Sequence, residues 1–433
     1  MRSTLLLGLM AAVLLACQPE PPATLELSAP VLATPAVKYA WVQYAEKGSA
    51  SVRAILEGAS VECPLISVDA APAAKMNPRT VPDSYVGFNE ISICEFAIGG
   101  LAQTVTIASA SNTISLPAVT RQTDQITVVG DTGCRLEGGS RQWCEGGSLD
   151  DGVWGFPQLS LAAASGPEAD LILHVGDYLY RESTQPDSGT CDPFRPDRGW
   201  VHCGDYWKAW EADFFAPAQG TAGAGLLANA PWIFVRGNHE TCGRSWQGYF
   251  LFFYAGSAPE SCQQHQDVID PYLVQLDGLD VYVVDTSNES VISAQSSFSA
   301  VYNMLAFSTQ SSWLVTHVPT SDLVPAFANS QLVLRENLKW IHVGHVHYFH
   351  HLPATSAQQA ETITGGSGTK LDACNGITIC AVGGSDNCCY GELSHSDAGE
   401  YSYLTVALDR QHDVWRATLR DVQGNDIFGF TVP

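Results

Sequence analysis

Five short motifs, each following an apolar run, constrain the fold of this chain more than any other feature. The apolar runs are QITVV, LILHV, WIFV, WLVT and WIHV, and each has about the length of one buried strand. The motifs that follow them are GDTG at Asp131, GDYLY at Asp177, GNHE at Asn238, VTH at His317 and GHVH at His345. Because strand-to-helix loops gather at one edge of an α/β sheet, the sequence predicts that all five motifs form a single site.

The side chains in these motifs are of the types that bind cations. Carboxylate oxygen, imidazole nitrogen and phenolate are ligands of hard or borderline metal ions, and one carboxylate can bridge two ions. Taken alone, an aspartate after a strand is usually a turn or a helix cap, and the two histidines of GHVH could face solvent on a strand. Five such motifs in this order instead favour the site of a two-metal hydrolase.

The order and residues of the motifs resemble the purple acid phosphatases within the calcineurin-like metallophosphoesterases. The resemblance covers roughly Ile126 to Thr369. Gly133 of GDTG stands where other members of this larger group have a histidine, and Tyr180 of GDYLY matches the tyrosine that replaces it in the purple enzymes. The resemblance implies an α/β fold, a four-layer αββα sandwich, preceded by a small all-β sandwich domain.

The same resemblance assigns ligands to two metal ions. The first ion would be bound by Asp131, Asp177, Tyr180 and His347. Asp177 would bridge to a second ion bound by Asn238, His317 and His345. A phenolate ligand favours ferric iron at the first position, whereas an amide and imidazoles suit zinc, manganese or ferrous iron at the second. The ions are expected about 3.5–4 Å apart, sharing a hydroxide that attacks phosphorus.

His239 is the expected catalytic side chain. By resemblance it points at the substrate phosphate and donates a hydrogen bond or a proton to the leaving oxygen. Glu240 is expected either to orient that imidazole or to pair with Arg236, and the pairing is favoured. Arg135 and Arg181 could bind phosphate, but acidic neighbours in sequence favour structural ion pairs for them.

The first residues indicate export and a lipid anchor. The apolar run LLLGLMAAVLLA is too short to span a bilayer permanently, and it ends in LLAC, which resembles a bacterial lipobox. Residues 1–16 are therefore predicted to be a lipoprotein-type signal peptide, Cys17 the lipidated residue, and 17–37 a proline-rich tether. An ordinary cleaved secretory signal is the alternative. The expected location is the bacterial cell envelope, lipid-anchored, or the exterior.

The cysteines fit an oxidising compartment. Thirteen cysteines, less Cys17, leave twelve, an even number that suits disulfides. The pairs that close short segments are Cys63 with Cys94, Cys134 with Cys144, Cys191 with Cys203, and Cys242 with Cys262. The last cluster is formed by Cys374, Cys380, Cys388 and Cys389, whose connectivity stays open. Its spacing fits disulfides better than a structural zinc site.

Two domains are expected from a length of 433 residues with 45% hydrophobic content. Short alternating runs predict an all-β sandwich over residues 38–120. Residues 121–433 alternate strand-like runs with helical segments, as a catalytic domain of the αββα type would.

The formal net charge of −24 argues against nucleic acid or an anionic membrane surface as a partner. The favoured activity is hydrolysis of small phosphate monoesters, similar to that of acid phosphatases. A phosphodiesterase or nucleotidase with the same metal core is the enzymatic alternative. A binding lipoprotein with a vestigial catalytic domain is the alternative from another class, and the intact set of ligands speaks against it.

Overall fold

Two β-sheets packed face to face form the centre of the fold. The computed structural model describes residues 34–46, 49–110, 112–136, 142, 144, 154–181, 204–262, 267–356, 358–374, 388–390 and 401–433. The predicted signal peptide, Cys17 and most of the predicted tether lie outside these residues. Within the described ranges, no helix combines the length and the apolar character needed to cross a bilayer.

The strands are numbered in chain order. Those of the N-terminal region are β1 (Val37–Tyr44), β2 (Ala50–Glu57), β3 (Leu65–Val68), β4 (Ala74–Lys75), β5 (Asn77–Pro78), β6 (Ile91–Ile98), β7 (Val105–Ala108) and β8 (Thr113–Leu116). The following strands are β9 (Gln125–Val129), β10 (Leu171–His174), β11 (Trp232–Phe234), β12 (Tyr272–Leu276), β13 (Leu279–Val283), β14 (Ser311–Val315) and β15 (Leu338–Val343). The last are β16 (Phe349–Leu352), β17 (Ala360–Thr364), β18 (Cys388–Tyr390), β19 (Ser402–Asp409), β20 (Val414–Asp421) and β21 (Asp426–Val432).

The helices lie between these strands. They are α1 (Phe156–Ser165), α2 (Trp207–Trp210), α3 (Ala216–Gln219), α4 (Trp246–Phe252), α5 (Val291–Leu305) and α6 (Val324–Asn329). A π-helical turn, Glu211–Phe215, joins α2 to α3. Short 3₁₀ turns occur at Val86–Phe88, Thr221–Gly223, Leu226–Ala228, Asn238–Glu240 and Leu332–Leu334. Helix α5 begins at Val291, where the side chain of Ser290 caps its first turn.

The five apolar runs form β9, β10, β11, β14 and β15, as predicted. In the first sheet the order is β21-β20-β19-β9-β10-β11-β1-β2-β6-β5, and β9, β10 and β11 are parallel. In the second sheet the order is β12-β13-β14-β15-β17-β16-β18, with β13, β14, β15 and β17 parallel. The parallel strands of each sheet therefore direct their carboxyl ends to one edge.

Apolar side chains from both sheets fill the space between them, including Val128, Leu173, Val281, Trp313 and Trp340. Aromatic residues from α1, α4 and the π-helical turn cover the outer face of the first sheet. Residues of α5 and α6 cover the outer face of the second sheet. The result is the expected αββα sandwich.

The N-terminal region is all-β, as predicted, but its strands extend the first sheet. β1 pairs in parallel with β11, and β2 and β6 continue from β1. A separate four-stranded sheet, β4-β3-β7-β8, packs on these strands through residues such as Ile66 and Val105. The sheet is thus continuous across the predicted boundary at residues 120 and 121, and that boundary stays a prediction.

Two buried arginines of the N-terminal region bind the end of α4, the helix after the GNHE motif. Arg79 donates from Nε to the carbonyl oxygen of Leu251 at 2.8 Å and from Nη2 to that of Phe250 at 2.8 Å. Arg53 donates to the carbonyl oxygen of Phe252. The last carbonyl oxygens of a helix lack a backbone donor within that helix. Here the guanidinium groups supply the missing hydrogen bonds. The N-terminal region therefore fixes the helix that follows the candidate site.

Disulfides join Cys63 to Cys94, Cys134 to Cys144 and Cys242 to Cys262, as predicted. In the last cluster, Cys374 is bonded to Cys389, which settles part of the open connectivity. Cys388 is also disulfide-bonded. The predicted pair of Cys191 with Cys203 lies outside the described residues. These disulfides indicate an extracellular or periplasmic protein.

Candidate metal centre

The carboxyl ends of five parallel strands, three from the first sheet and two from the second, bring the motifs together. Asp131, Asp177 and His345 lie at bends where the backbone has positive φ angles of 54°, 58° and 72°. Such angles are unfavourable for residues with a Cβ and are concentrated at functional sites. The fold thus holds these three side chains in place at the expense of local backbone energy.

Tyr180 is at the centre of a first group of donor atoms. Its hydroxyl oxygen lies 2.9 Å from Asp131 Oδ1, 2.8 Å from Asp177 Oδ2 and 2.9 Å from His347 Nε2. A phenol carries one proton and can donate to only one of these acceptors at a time. The group therefore contains more lone pairs than protons.

A second group surrounds the side-chain oxygen of Asn238. His317 Nε2 lies 3.0 Å from Asn238 Oδ1 and 3.3 Å from Asp177 Oδ1, and His345 Nδ1 lies 3.3 Å from Asn238 Oδ1. His317 Nδ1 is 2.8 Å from the carbonyl oxygen of Val175, which requires a proton on that nitrogen. In the neutral imidazole the lone pair of Nε2 would then face two oxygens, which is the arrangement found for metal-ligating histidines.

Asp177 belongs to both groups. Its Oδ2 contacts the Tyr180 hydroxyl, and its Oδ1 faces His317 and accepts a hydrogen bond from the backbone nitrogen of His239 at 2.9 Å. The donor atoms of Asp131, Asp177 and His317 all lie within 4.8 Å of one another. One carboxylate therefore connects two clusters of potential ligands, as a bridging ligand must.

The pKa values of the buried groups reflect the close approach of two carboxylates at this site. Burial raises the pKa of Asp131 well above its usual range, and the charge of Asp177 adds to this effect. Burial acts to raise the pKa of Asp177 too, but the His317 and His239 imidazoles outweigh it and hold that pKa well below its usual range. Burial acts to lower the pKa of His317, yet Asp177 raises it to about 10. The protein alone thus stabilises a proton between His317 and Asp177.

Burial also shifts the pKa values of the Tyr180 phenol and of the remaining imidazoles. Burial and the two carboxylates raise the pKa of Tyr180 well above its usual range. Burial lowers the pKa of His347 to about 4, and it also lowers the pKa of His345. Neutral imidazoles present lone pairs, and a bound cation would favour the phenolate. Among the described residues, the ion pairs of Asp131 and Asp177 are with histidines. The donor set therefore fits metal cations.

Gly133 leaves the space that Tyr180 occupies. A Cβ placed at Gly133 would lie 2.7 Å from the carbonyl oxygen of Tyr178, 2.8 Å from the backbone nitrogen of Tyr180 and 2.9 Å from Cδ2 of its ring. Real Cβ atoms almost never approach other atoms this closely. The glycine of GDTG and the tyrosine of GDYLY are consequently one steric unit, because a larger residue at 133 would displace the phenol.

Glu240 does not act as the sequence led us to expect. Its fully buried carboxylate accepts hydrogen bonds from the backbone nitrogens of Asp177, Tyr178 and Gly237 at 3.2, 2.9 and 3.1 Å. Burial and the charge of Asp177 raise its pKa to about 8. The favoured pairing with Arg236 is wrong at the side-chain level. Arg236 binds the backbone oxygen of Glu240, and its guanidinium pairs with Asp267 and Asp285.

His239 lies at the surface of the centre. Its ring packs on that of Tyr180 with a centroid distance of 3.9 Å, and its Nε2 lies 3.9 Å from Asp177 Oδ2. Ser245 donates from its backbone nitrogen and its hydroxyl to the carbonyl oxygen of His239, at 3.0 and 2.6 Å. The imidazole is thus adjacent to both groups of donor atoms and is held by its own loop.

Three acidic residues near the site were missed by the sequence reasoning. Asp213, in the π-helical turn, accepts from the backbone nitrogen of Tyr180 at 3.1 Å and pairs with Arg181. Asp372 accepts from the backbone nitrogen of His347 at 3.2 Å. Glu289 accepts from the side chain of Asn238 at 2.9 Å. Glu289 lies in the loop between β13 and α5, too far beyond the strand for the strand-end pattern to single it out.

The structural pairing expected for Arg181 is therefore present with Asp213. Its sequence neighbour Glu182 lies outside the described residues. His342 and His351 are buried away from the motifs. His342 packs between Trp313 and Trp340, and His351 stacks on Phe430 with a centroid distance of 3.7 Å. These two histidines are part of the core between the sheets.

Comparison with known proteins agrees with this geometry. A family model described as calcineurin-like phosphoesterase matches residues 125–349. The match begins at β9 and ends in β16, so it includes all five motifs and every residue of the two donor groups. No curated protein matches the chain.

Proposed function

The chain belongs to the calcineurin-like phosphoesterase family, whose members are metal-dependent hydrolases of phosphate esters, and from that premise we propose a phosphomonoesterase with two metal ions. The observation that carries this proposal is the position of Asp177, with one oxygen at the Tyr180 hydroxyl and the other facing His317. A buried carboxylate shared by two lone-pair-rich groups suits a pair of cations.

We assign the ligands as follows. The first ion would be held by Asp131, Asp177, Tyr180 and His347, and the second by Asp177, Asn238, His317 and His345. The ions would supply the nucleophile from water and neutralise charge on the phosphate. Side chains of the protein fix their positions, because His317 is oriented by Val175 and the backbone at Asp131 and Asp177 is strained.

His239 is proposed to donate a proton to the leaving oxygen. Its ring lies on Tyr180, and its Nε2 is near Asp177 but 3.9 Å away, too far for a hydrogen bond to the carboxylate. A phosphate ester bound to the two ions would therefore lie beside this imidazole. A donor in this position would assist esters whose leaving group is a poor one.

Iron at the first position is proposed from the phenol. Tyr180 is the ligand that distinguishes this centre from one built of carboxylates and imidazoles alone, and phenolate favours ferric iron. Zinc, manganese or ferrous iron would suit the second position, where the donors are imidazoles, an amide oxygen and the shared carboxylate.

The test combines metal analysis with a panel of substrates. Purified protein should contain two metal ions per chain, one of them iron, and should hydrolyse aryl and alkyl phosphate monoesters in preference to bis-aryl diesters. Removal of the ions with a chelator should abolish hydrolysis, and their return should restore it. One ion or none in fully active protein, or a preference for diesters, would contradict the proposal.

We also propose that Cys17 carries lipid and anchors the protein in the cell envelope. The proposal rests on the LLAC sequence and on disulfides that require an oxidising compartment. Mass spectrometry of the mature protein should find a lipid-modified Cys17 at the N-terminus. A mature chain that begins elsewhere would show an ordinary secretory signal.

A further inference from the structure

We propose that Glu289 is a positioning residue that turns the oxygen of the Asn238 amide toward the metal centre. This inference rests on the proposed function, since it concerns the ligand set of the second metal ion. The amide of an asparagine binds a cation through Oδ1 only, because its other end is an NH₂ group without a lone pair for coordination. The orientation of Asn238 therefore decides whether the second position has its amide ligand.

The contact that fixes this orientation is direct. Asn238 Nδ2 donates to Glu289 Oε1 at 2.9 Å, while Asn238 Oδ1 faces His317 Nε2 at 3.0 Å and His345 Nδ1 at 3.3 Å. A carboxylate only accepts hydrogen bonds, so it can face the NH₂ end of the amide but not the oxygen. Glu289 thus favours one of the two orientations of Asn238.

The backbone around Glu289 is arranged to direct this side chain. Glu289 has a φ angle of 53°, in the left-handed region that is unfavourable for glutamate. Its nitrogen donates to the carbonyl oxygen of Thr286 at 3.0 Å, and the nitrogen of Ser290 donates to Asn288 Oδ1 at 3.0 Å. Ser290 then caps α5. A strained turn between β13 and α5 therefore presents the carboxylate to Asn238.

Glu289 is exposed to solvent. Its effect on Asn238 should therefore come from the hydrogen bond and not from its charge. Surface charges interact weakly through water, so the charge of Glu289 alone should matter little. Asp322 provides the comparison, because it is also exposed and also contributes negative charge near His345. Of these two residues, Glu289 also accepts a hydrogen bond from Asn238.

The experiment is titration of Zn²⁺ into the metal-free full chain by calorimetry, with the wild type, Glu289→Ala, Glu289→Gln and Asp322→Ala. Wild type should bind two ions. Glu289→Ala should bind the first ion normally and the second about 10- to 100-fold more weakly, as is typical when a residue that orients a ligand is removed. Glu289→Gln retains an acceptor oxygen and should recover most of this affinity. Asp322→Ala should bind both ions as the wild type does.

Thermal unfolding of the metal-free variants is the control for correct folding. Alanine at position 289 has the same backbone preference as glutamate there, so its melting temperature should match the wild type. Two ions bound by Glu289→Ala with unchanged affinity would overturn the inference, as would equal losses in Glu289→Gln or Asp322→Ala. A wild-type chain that binds fewer than two ions would overturn the proposed function, and with it this role of Glu289.

Discussion

The carboxylate of Glu240 accepts a hydrogen bond from the backbone nitrogen of Asp177 at 3.2 Å, so the GNHE motif supports the loop of the GDYLY motif. It accepts a further bond from Gly237, in its own motif. A Cβ at Gly237 would lie 2.2 Å from the nitrogen of Asp177, which shows how closely these two loops pack. The bridging position of Asp177 thus depends on a residue that is not itself a ligand.

Glu240→Gln should weaken both folding and metal binding. The substitution replaces an acceptor oxygen with an NH₂ group facing backbone N–H donors, and an unsatisfied buried donor costs about 1–3 kcal/mol. The free energy of unfolding, measured in denaturant at a pH above the Glu240 pKa of about 8, should fall by about this amount, and metal content should fall with it. The exposed Glu336→Gln should change neither. Wild-type stability and metal content in Glu240→Gln would contradict the supporting role.

Tyr180→Phe should remove the visible absorption expected of the iron-loaded protein. The ring and its packing on His239 are retained, but the phenol oxygen is lost, so charge transfer from phenolate to iron cannot occur. The matched control is Tyr178→Phe, which loses a 2.7 Å hydrogen bond to Val235 and has no contact with the candidate ligands through its hydroxyl. An unchanged spectrum in active, iron-loaded Tyr180→Phe would show that the phenol is not a ligand.

His239→Ala should keep both metal ions but slow turnover by about 10²- to 10⁴-fold, the usual contribution of general acid catalysis. The defect should be largest for alkyl esters and smaller for aryl esters, whose leaving groups need little protonation. Steady-state rates on a series of leaving groups would measure this dependence. The exposed His412→Ala should behave as wild type. Equal rates in His239→Ala and wild type on all esters, with full metal content, would leave His239 a structural neighbour of Asn238.

His342→Phe should make the protein less sensitive to acid. Burial lowers the pKa of His342 to about 3, whereas its ordinary value is 6.5. Between these values the unfolded chain takes up a proton that the folded chain does not, so stability falls as pH decreases, by about 1.4 kcal/mol per pH unit. Phenylalanine does not titrate and suits the contacts with Trp313 and Trp340.

Urea unfolding at pH 7.5 and pH 5 would measure this difference. Relative to wild type, His342→Phe should lose less stability between the two pH values. Parallel losses in the two proteins would show that His342 does not remain neutral in the folded chain.

Much of the fold and the approach of the motifs could be predicted from local sequence. Apolar runs of strand length followed by polar motifs predicted β9, β10, β11, β14 and β15 and their common edge. These predictions succeeded because a strand that is buried on both faces needs continuous apolar residues. Parallel strands also place their carboxyl ends at one edge of the sheet, which brings the motifs together. The predicted disulfides of Cys63, Cys134 and Cys242 also close short segments, where sequence proximity is informative.

By itself, then, the sequence determined which residues reach the edge of the sheets, because a residue's distance from the end of its own strand is a local property. Only the tertiary structure decided their partners: Glu240 binds the loop of Asp177 and not Arg236, Arg181 pairs with Asp213, and β1 joins the sheet beside β11. Each of these contacts joins residues far apart along the chain or depends on backbone angles. Their geometry is set by how the sheets and helices pack, so it cannot be predicted from the neighbouring residues in the sequence.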